Sequence, residues 1–216
     1  MAAETSDIRQ LLGLTPSSVS VLGYLSSLSS HLSAALGTTP LPDVKSYPDA
    51  VYFNYYHLGL SLFFVPTNGY RPQTHLKRDY LRDEDLLLDG IDIYNIPNVK
   101  AAPSLSTSPA YSSYPVSPVV LSVSAQDKDG KARQTSQLSI HSMMTGKDFV
   151  STLGEPDRKG GGAGPSSGSI GIWLEWSKDG IMVEYGGGES RGPKAWETGK
   201  DAVWRVLSIF PPKSDH

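Results

Sequence analysis

The sequence predicts an α+β protein built from tandem α-β-β-β repeats, their strands forming antiparallel sheet with the helices on one face. Three observations predict this. Leu36-Gly37-Thr38-Thr39-Pro40 is echoed in the second half by Leu153-Gly154-Glu155-Pro156. In each half a helical pattern leads into that Leu-Gly. In each half a strand-turn-strand and a further strand follow: Val51 to Val65 and Leu86 to Tyr94, then Ile170 to Tyr185 and Val203 to Phe210. The organisation expected is a first repeat over 1–96, a flexible Ser/Pro-rich linker over 97–118 and a second repeat over 119–216.

In the first half, Thr15-Pro16 reads as a cap followed by a first-turn proline. Val21, Leu25, Leu28, Leu32 and Leu36 make one apolar stripe at the helical period, and Gly37 closes it. Gly23 marks a point where this helix can divide into two pieces. The opposite face is unusual, because no Lys, Arg, Asp or Glu occurs from Gly13 to Pro42. Its outer positions are Ser26, Ser27, Ser29, Ser30 and Ser33. A solvated helix normally carries charge there. Either the serines meet water or a loop of the same chain, or another helix or another chain covers them; Ser26 and Ser30 are the candidate contacts.

The next segment alternates with period two, placing Val51, Phe53 and Tyr55 on one side of a strand and Tyr52, Asn54 and Tyr56 on the other. Gly59 allows a turn, after which Leu60, Leu62 and Phe64 continue the apolar side. The mixed charges of Arg71 to Asp85 read as a solvated excursion between strands. Pro97 to Pro118 has no hydrophobic periodicity and reads as the connector. Its Ser108-Pro109 and Ser117-Pro118 pairs suit proline-directed phosphorylation.

Beyond it, Val119 to Ala125 and Gln137 to His141 read as strands joined across Asp127-Lys128-Asp129-Gly130. Thr145-Gly146-Lys147-Asp148 resembles a capping box with Asp in the fourth position. The short helix that follows turns Phe149, Val150 and Leu153 inward and stops at Gly154. In the second hairpin Ile172, Leu174 and Trp176 face one way and Trp173 and Glu175 the other. Asp179-Gly180 supplies the turn before Ile181 to Tyr185.

Composition narrows the function. With 19 basic and 22 acidic side chains the net charge is −3, so no overall field draws the chain to nucleic acid or an anionic membrane. The absence of cysteine removes thiolate nucleophiles, disulfides and cysteine-ligated zinc, and fits a reducing compartment. The acidic start does not resemble a secretory signal, and the most apolar window, Val51 to Val65, is too short and too polar to span a bilayer. A soluble cytoplasmic protein without integral membrane association is the expectation.

No catalytic motif survives its structural requirements. The glycine-rich stretches Arg158 to Ser169 and Gly186-Gly187-Gly188 read as flexible loops and lack the Gly-Lys-Ser/Thr ending of a phosphate loop. Gly188-Glu189-Ser190-Arg191-Gly192 satisfies G-x-S-x-G, with Asp201 and His216 following in hydrolase order. That motif works only on a strand-to-helix elbow, and here Pro193 and a polar loop follow. His31, His57, His75, His141 and His216 are scattered without ligand-pair spacing. Glu175 and Glu184 lie on the two arms of one hairpin, where they either form a carboxylate pair or stand as solvated charges. No metal, no cofactor and no catalytic residue is therefore expected.

What remains is aromatic surface: Tyr52 and Tyr56 on one hairpin and Trp173 on its counterpart, residue types enriched where proteins bind proteins. The run Tyr52 to Phe64 resembles the Phe-Asn-Tyr, Leu-Gly, hydrophobic-strand signature of the phagosome assembly factor family, and Phe149 to Pro156 is similar to that family's helix-ending Leu-Gly-x-Pro. It also resembles the helix-plus-sheet repeat of the β-lactamase-inhibitor-protein and small outer-membrane assembly lipoprotein group. The resemblance implies an antiparallel sheet with helices on one face, used for binding proteins. The reading is thus a non-enzymatic adaptor or scaffold that binds a protein partner, or itself, through the aromatic sheet face or the Ser-rich helix. The alternative is a small-ligand-binding protein or hydrolase with a pocket between the repeats.

Overall fold

The computed structural model describes residues 7–32, 41–96, 109–162 and 171–213. It divides into two compact units, Leu11–Val116, and Met1–Gln10 with Ser117–His216.

In the Leu11–Val116 unit, α1 (Val19–Leu32) is followed by β1 (Asp43–Tyr47), β2 (Ala50–Tyr55), β3 (Leu60–Pro66) and β4 (Leu86–Tyr94). Each strand pairs antiparallel with the next, in the order β1-β2-β3-β4. The register sets Phe53 opposite Leu62 and Leu62 opposite Ile91, so the apolar side of the alternation becomes one buried face, to which α1 adds Val21, Leu25 and Leu28. The helix runs unbroken through Gly23. Ser29 is buried rather than outward, its hydroxyl donating to Leu25 O at 2.8 Å. Residues 33–40, including Leu36 and Gly37, lie outside the described residues. The Arg71 to Asp85 excursion packs: Arg78 grips Asp83 at 2.6 Å and stands 4.8 Å over the Phe53 ring, while Asp85 is buried against Arg82 and Asn68.

In the other unit, β5 (Val119–Ser122) and β6 (Gln137–Ile140) form an antiparallel pair. Then come α2 (Gly146–Leu153), β7 (Arg158–Gly160), β8 (Trp173–Trp176), β9 (Ile181–Tyr185), α3 (Ala195–Thr198) and β10 (Trp204–Ile209). Strands β7 to β10 pair in sequence order, again antiparallel. The capping box is present, with Asp148 accepting from Thr145 N at 2.8 Å. Phe149 packs on Trp176 and Tyr185, ring centroids 6.2 Å away in both cases, which seats α2 on the apolar sheet face.

The fold is therefore α+β with antiparallel sheet, and the helix-then-strands order recurs in each unit with one further edge strand, β1 or β7. Neither edge strand carries an alternating apolar signal. β7 lies in the glycine-rich stretch read as a loop, whose remainder over 163–169 is outside the described residues. Both hairpins turn through a single 3-10 turn closed by a left-handed glycine, Gly59 at φ 58° and Gly180 at φ 62°. Among the described residues no helix is long and apolar enough to cross a membrane.

Candidate functional site

The second side of the β2 alternation forms a groove of about 580 Å³ on the Leu11–Val116 unit. Pairing sets Asp43, Asn54, Ser61 and Asp92 in one cross-strand row and Lys45 opposite Tyr52 in a second, and both rows line it. Tyr56 and Tyr94 stand at its end.

Asn54 organises the floor. Its carbonyl oxygen accepts from Ser61 Oγ at 2.9 Å and from Tyr111 Oη at 2.6 Å, and its amide donates to Asp43 O at 3.1 Å. Tyr56 Oη donates to Asp43 Oδ2 at 2.9 Å. Tyr111 lies flat on Tyr94, centroids 3.6 Å apart and planes at 5°, and touches Tyr56 at 4.7 Å. Tyr111 belongs to the stretch expected to be a flexible connector, of which 97–108 lie outside the described residues. Residues around it are tied down by main-chain bonds from Ser112 N to Tyr56 O and from Tyr114 N to Tyr94 O, both 2.8 Å. Tyr114 also hydrogen-bonds Tyr24 of α1. Tyr111 thus forms one wall of the groove, fixed by an aromatic stack and by the backbone hydrogen bonds of the residues that follow it.

Beyond Tyr111 the groove stays open. Tyr52 is half-buried, stacked on Phe63 at 5.1 Å, and Tyr47 meets it edge-on at 6.4 Å. Burial, the Asp43 hydrogen bond and the neighbouring charges push the Tyr56 hydroxyl up to about 12. Burial raises Tyr52 as well, reinforced by Asp92, Tyr47 and Asp49, and raises Tyr111 against the lowering pull of its Ser61 and Tyr94 hydrogen bonds. At ordinary pH these are neutral hydroxyls. Among the described residues the charged lining is Asp43, Asp92 and Lys45, so these give the aromatic groove a net acidic character. No protein-family model, curated protein or solved structure matches this chain.

Trp173, Ser26 and Ser30 are not among the described residues that line this groove. Trp173 occupies the corresponding side of β8 in the other unit, opposite Glu184, its indole lying against Gly160 and 6.0 Å from the Arg158 guanidinium. Ser26 and Ser30 are exposed on α1 beside Val19, 88% exposed, and Leu22, 45% exposed. The sequence missed Tyr111 and Tyr94, whose stack joins β4 to a segment that carries no strand signal.

Among the described residues, the side chains weighed for catalysis have the following partners. Glu175 pairs across the hairpin with Met182, not Glu184. Burial raises its carboxyl, but Ser177 at 2.7 Å, Lys213 at 3.1 Å and Arg158 at 3.3 Å outweigh that and hold it below the usual range. Ser190 ends a 3-10 turn rather than an elbow; it is fully buried and donates to Gly187 O at 3.1 Å. Asp201 pairs with Lys147, and His216 lies outside the described residues. His57 is exposed in the first hairpin turn. Among the described residues no group of three His, Asp or Glu is placed to hold a metal.

Proposed function

We propose that this protein is a non-enzymatic interaction module whose tyrosine-lined groove holds an extended segment of a protein partner, and that the segment presents Lys or Arg. One observation carries the reading: Tyr111, from a segment outside the strands, packs into the groove wall on Tyr94 and Tyr56 while main-chain hydrogen bonds tie down Ser112 and Tyr114 next to it. The open part beside it offers Tyr47, Tyr52 and the exposed Asp43, with Lys45 opposite Tyr52. A cation over the tyrosine faces near the Asp43 carboxylate gains from both attractions. Nucleic acid would meet like charge there. The shared helix, four-strand order and left-handed turn glycine support reading the two units as copies of one ancestral module. The suggested kinship with the phagosome assembly factor family points the same way, toward binding. A cysteine-free chain suits a cytoplasmic setting.

The test is selection of displayed peptides on the full chain, followed by affinity measurement on the Tyr52→Ala/Tyr56→Ala variant. Basic peptides are expected to be enriched and to lose about tenfold in affinity on the variant, the scale of a central aromatic contact. Circular dichroism checks that the variant folds. Enrichment of peptides that bind wild type and variant equally well would overturn the assignment.

A further inference from the structure

The unit of Met1–Gln10 with Ser117–His216 contains a second concavity, unrelated to the groove, of about 460 Å³ between α2, β8 and α3. This lies within the ~300–1,000 Å³ range of small-molecule sites. Its walls are apolar: Val150 of α2, Leu174 of β8, Ile172, Pro156 and the half-exposed indole of Trp196. Tyr185 also forms part of the wall. Its side chain is fully buried, and among the described residues its hydroxyl has no hydrogen-bond partner. Buried hydroxyls are nearly always paired, so an orphan beside a cavity marks a place for an acceptor that arrives from outside.

Charged groups of both signs gather at the α2 end: Lys147 and Lys200 line the cavity, Asp201 and Asp148 stand beside them, and the Asp148 charge reaches the Tyr185 hydroxyl. Gly146-Lys147 of α2 and Gly199-Lys200 meet there, with Gly146 N donating to Ala202 O at 3.1 Å. Lys147 pairs with exposed Asp201 at 3.3 Å. Asp148, in the same helical turn, accepts from Thr145 N at 2.8 Å and Thr145 Oγ1 at 2.6 Å. At the far end Lys159 lies 5.8 Å from the Trp196 ring centroid, and Glu155 is the one acid among the described lining residues.

We propose that this cavity binds a small amphipathic carboxylate. Its apolar body packs against Val150, Ile172, Leu174 and Trp196, and its carboxylate accepts from the Tyr185 hydroxyl with Lys200 and Lys147 beside it. The chemistry is recognition by an apolar slot closed with one donor and ammonium groups; no bond is made or broken. The site is independent of the tyrosine groove.

Calorimetric titration of the full chain with dodecanoate, 1-dodecanol and butyrate tests it, on wild type and on Tyr185→Phe, Lys200→Ala and Tyr52→Ala. Dodecanoate is expected to bind one site, with dodecanol and butyrate each weaker by about tenfold or more, the scale of a charge-assisted hydrogen bond or of a lost apolar body. Tyr185→Phe and Lys200→Ala should each weaken dodecanoate by about tenfold. Tyr52→Ala should leave it unchanged. Tyr185→Phe keeps the ring that packs on Phe149, and its melting temperature shows whether the fold is intact. Absence of saturable binding, equal binding of dodecanol, or dodecanoate affinity indifferent to Tyr185→Phe would each overturn the proposal.

Discussion

Arg133 uses every donor it has. Its guanidinium bonds Asp179 with both terminal nitrogens at 2.9 and 2.8 Å, Leu153 O from Nε and Nη2 at 3.1 and 2.8 Å, and Ser124 O at 3.1 Å. Both side chains are almost wholly buried, and Asp179 also accepts from Ser124 N at 2.8 Å. One residue therefore ties the β5–β6 loop to the β8–β9 turn and closes the last turn of α2. Such a pair need not outperform an apolar replacement of both partners, but removing one partner strands the other charge in a low dielectric. Arg133→Ala should cost about 3–5 kcal/mol, read from urea unfolding. Arg133→Lys should recover little of it, because an ammonium cannot reproduce the two-pronged geometry. An Arg133→Ala variant as stable as wild type would show that the network contributes nothing.

The two hairpins turn in the same way. Each runs from a strand into a 3-10 turn and leaves through a glycine whose amide bonds the carbonyl three residues back, Gly59 N to Tyr56 O at 3.2 Å and Gly180 N to Ser177 O at 3.1 Å. A side chain at either position pays the left-handed penalty and also meets backbone: a Cβ at Gly59 would collide with Ser112 O, and one at Gly180 with Phe210 O. Gly59→Ala and Gly180→Ala should each destabilise by more than about 1–2 kcal/mol in thermal unfolding. Gly130→Ala, with nothing near its Cβ, should cost only the strain of its φ of 78°. For α2, Thr145→Ala removes the threonine half of the capping box and should cost about 1 kcal/mol.

At the scale of the molecule, tyrosine chemistry distinguishes the two units. Burial raises Tyr24, Tyr52, Tyr55, Tyr56, Tyr111 and Tyr114 in the Leu11–Val116 unit, with Tyr56 and Tyr114 pushed up to about 12, while the other unit has Tyr185. A hydroxyl whose pKa is higher folded than unfolded stabilises the fold fully below its unfolded value of 10.0. That stability drains as pH rises from there through about 12. Denaturation midpoints should therefore hold steady up to about pH 10 and fall beyond it. Tyrosinate absorbance should lag behind that of free tyrosine over the same window. Midpoints that stay flat to pH 12 would contradict the burial of these hydroxyls.

Local rules made much of this fold legible. Alternation over Val51 to Tyr55 and over Ile172 to Trp176 assigned each side chain its face, and glycines at 59 and 180 marked the turns, because strand pleat and left-handed backbone act between near neighbours. Thr145 and Asp148 were readable for the same reason. Tertiary structure alone decided that Tyr111 reaches Asn54 across 57 positions and Arg133 reaches Asp179 across 46. It also decided that Tyr185, on the apolar side of its strand, lines a cavity. Such contacts follow from which surfaces the chain buries together, and a single sequence carries no periodic signal of that choice.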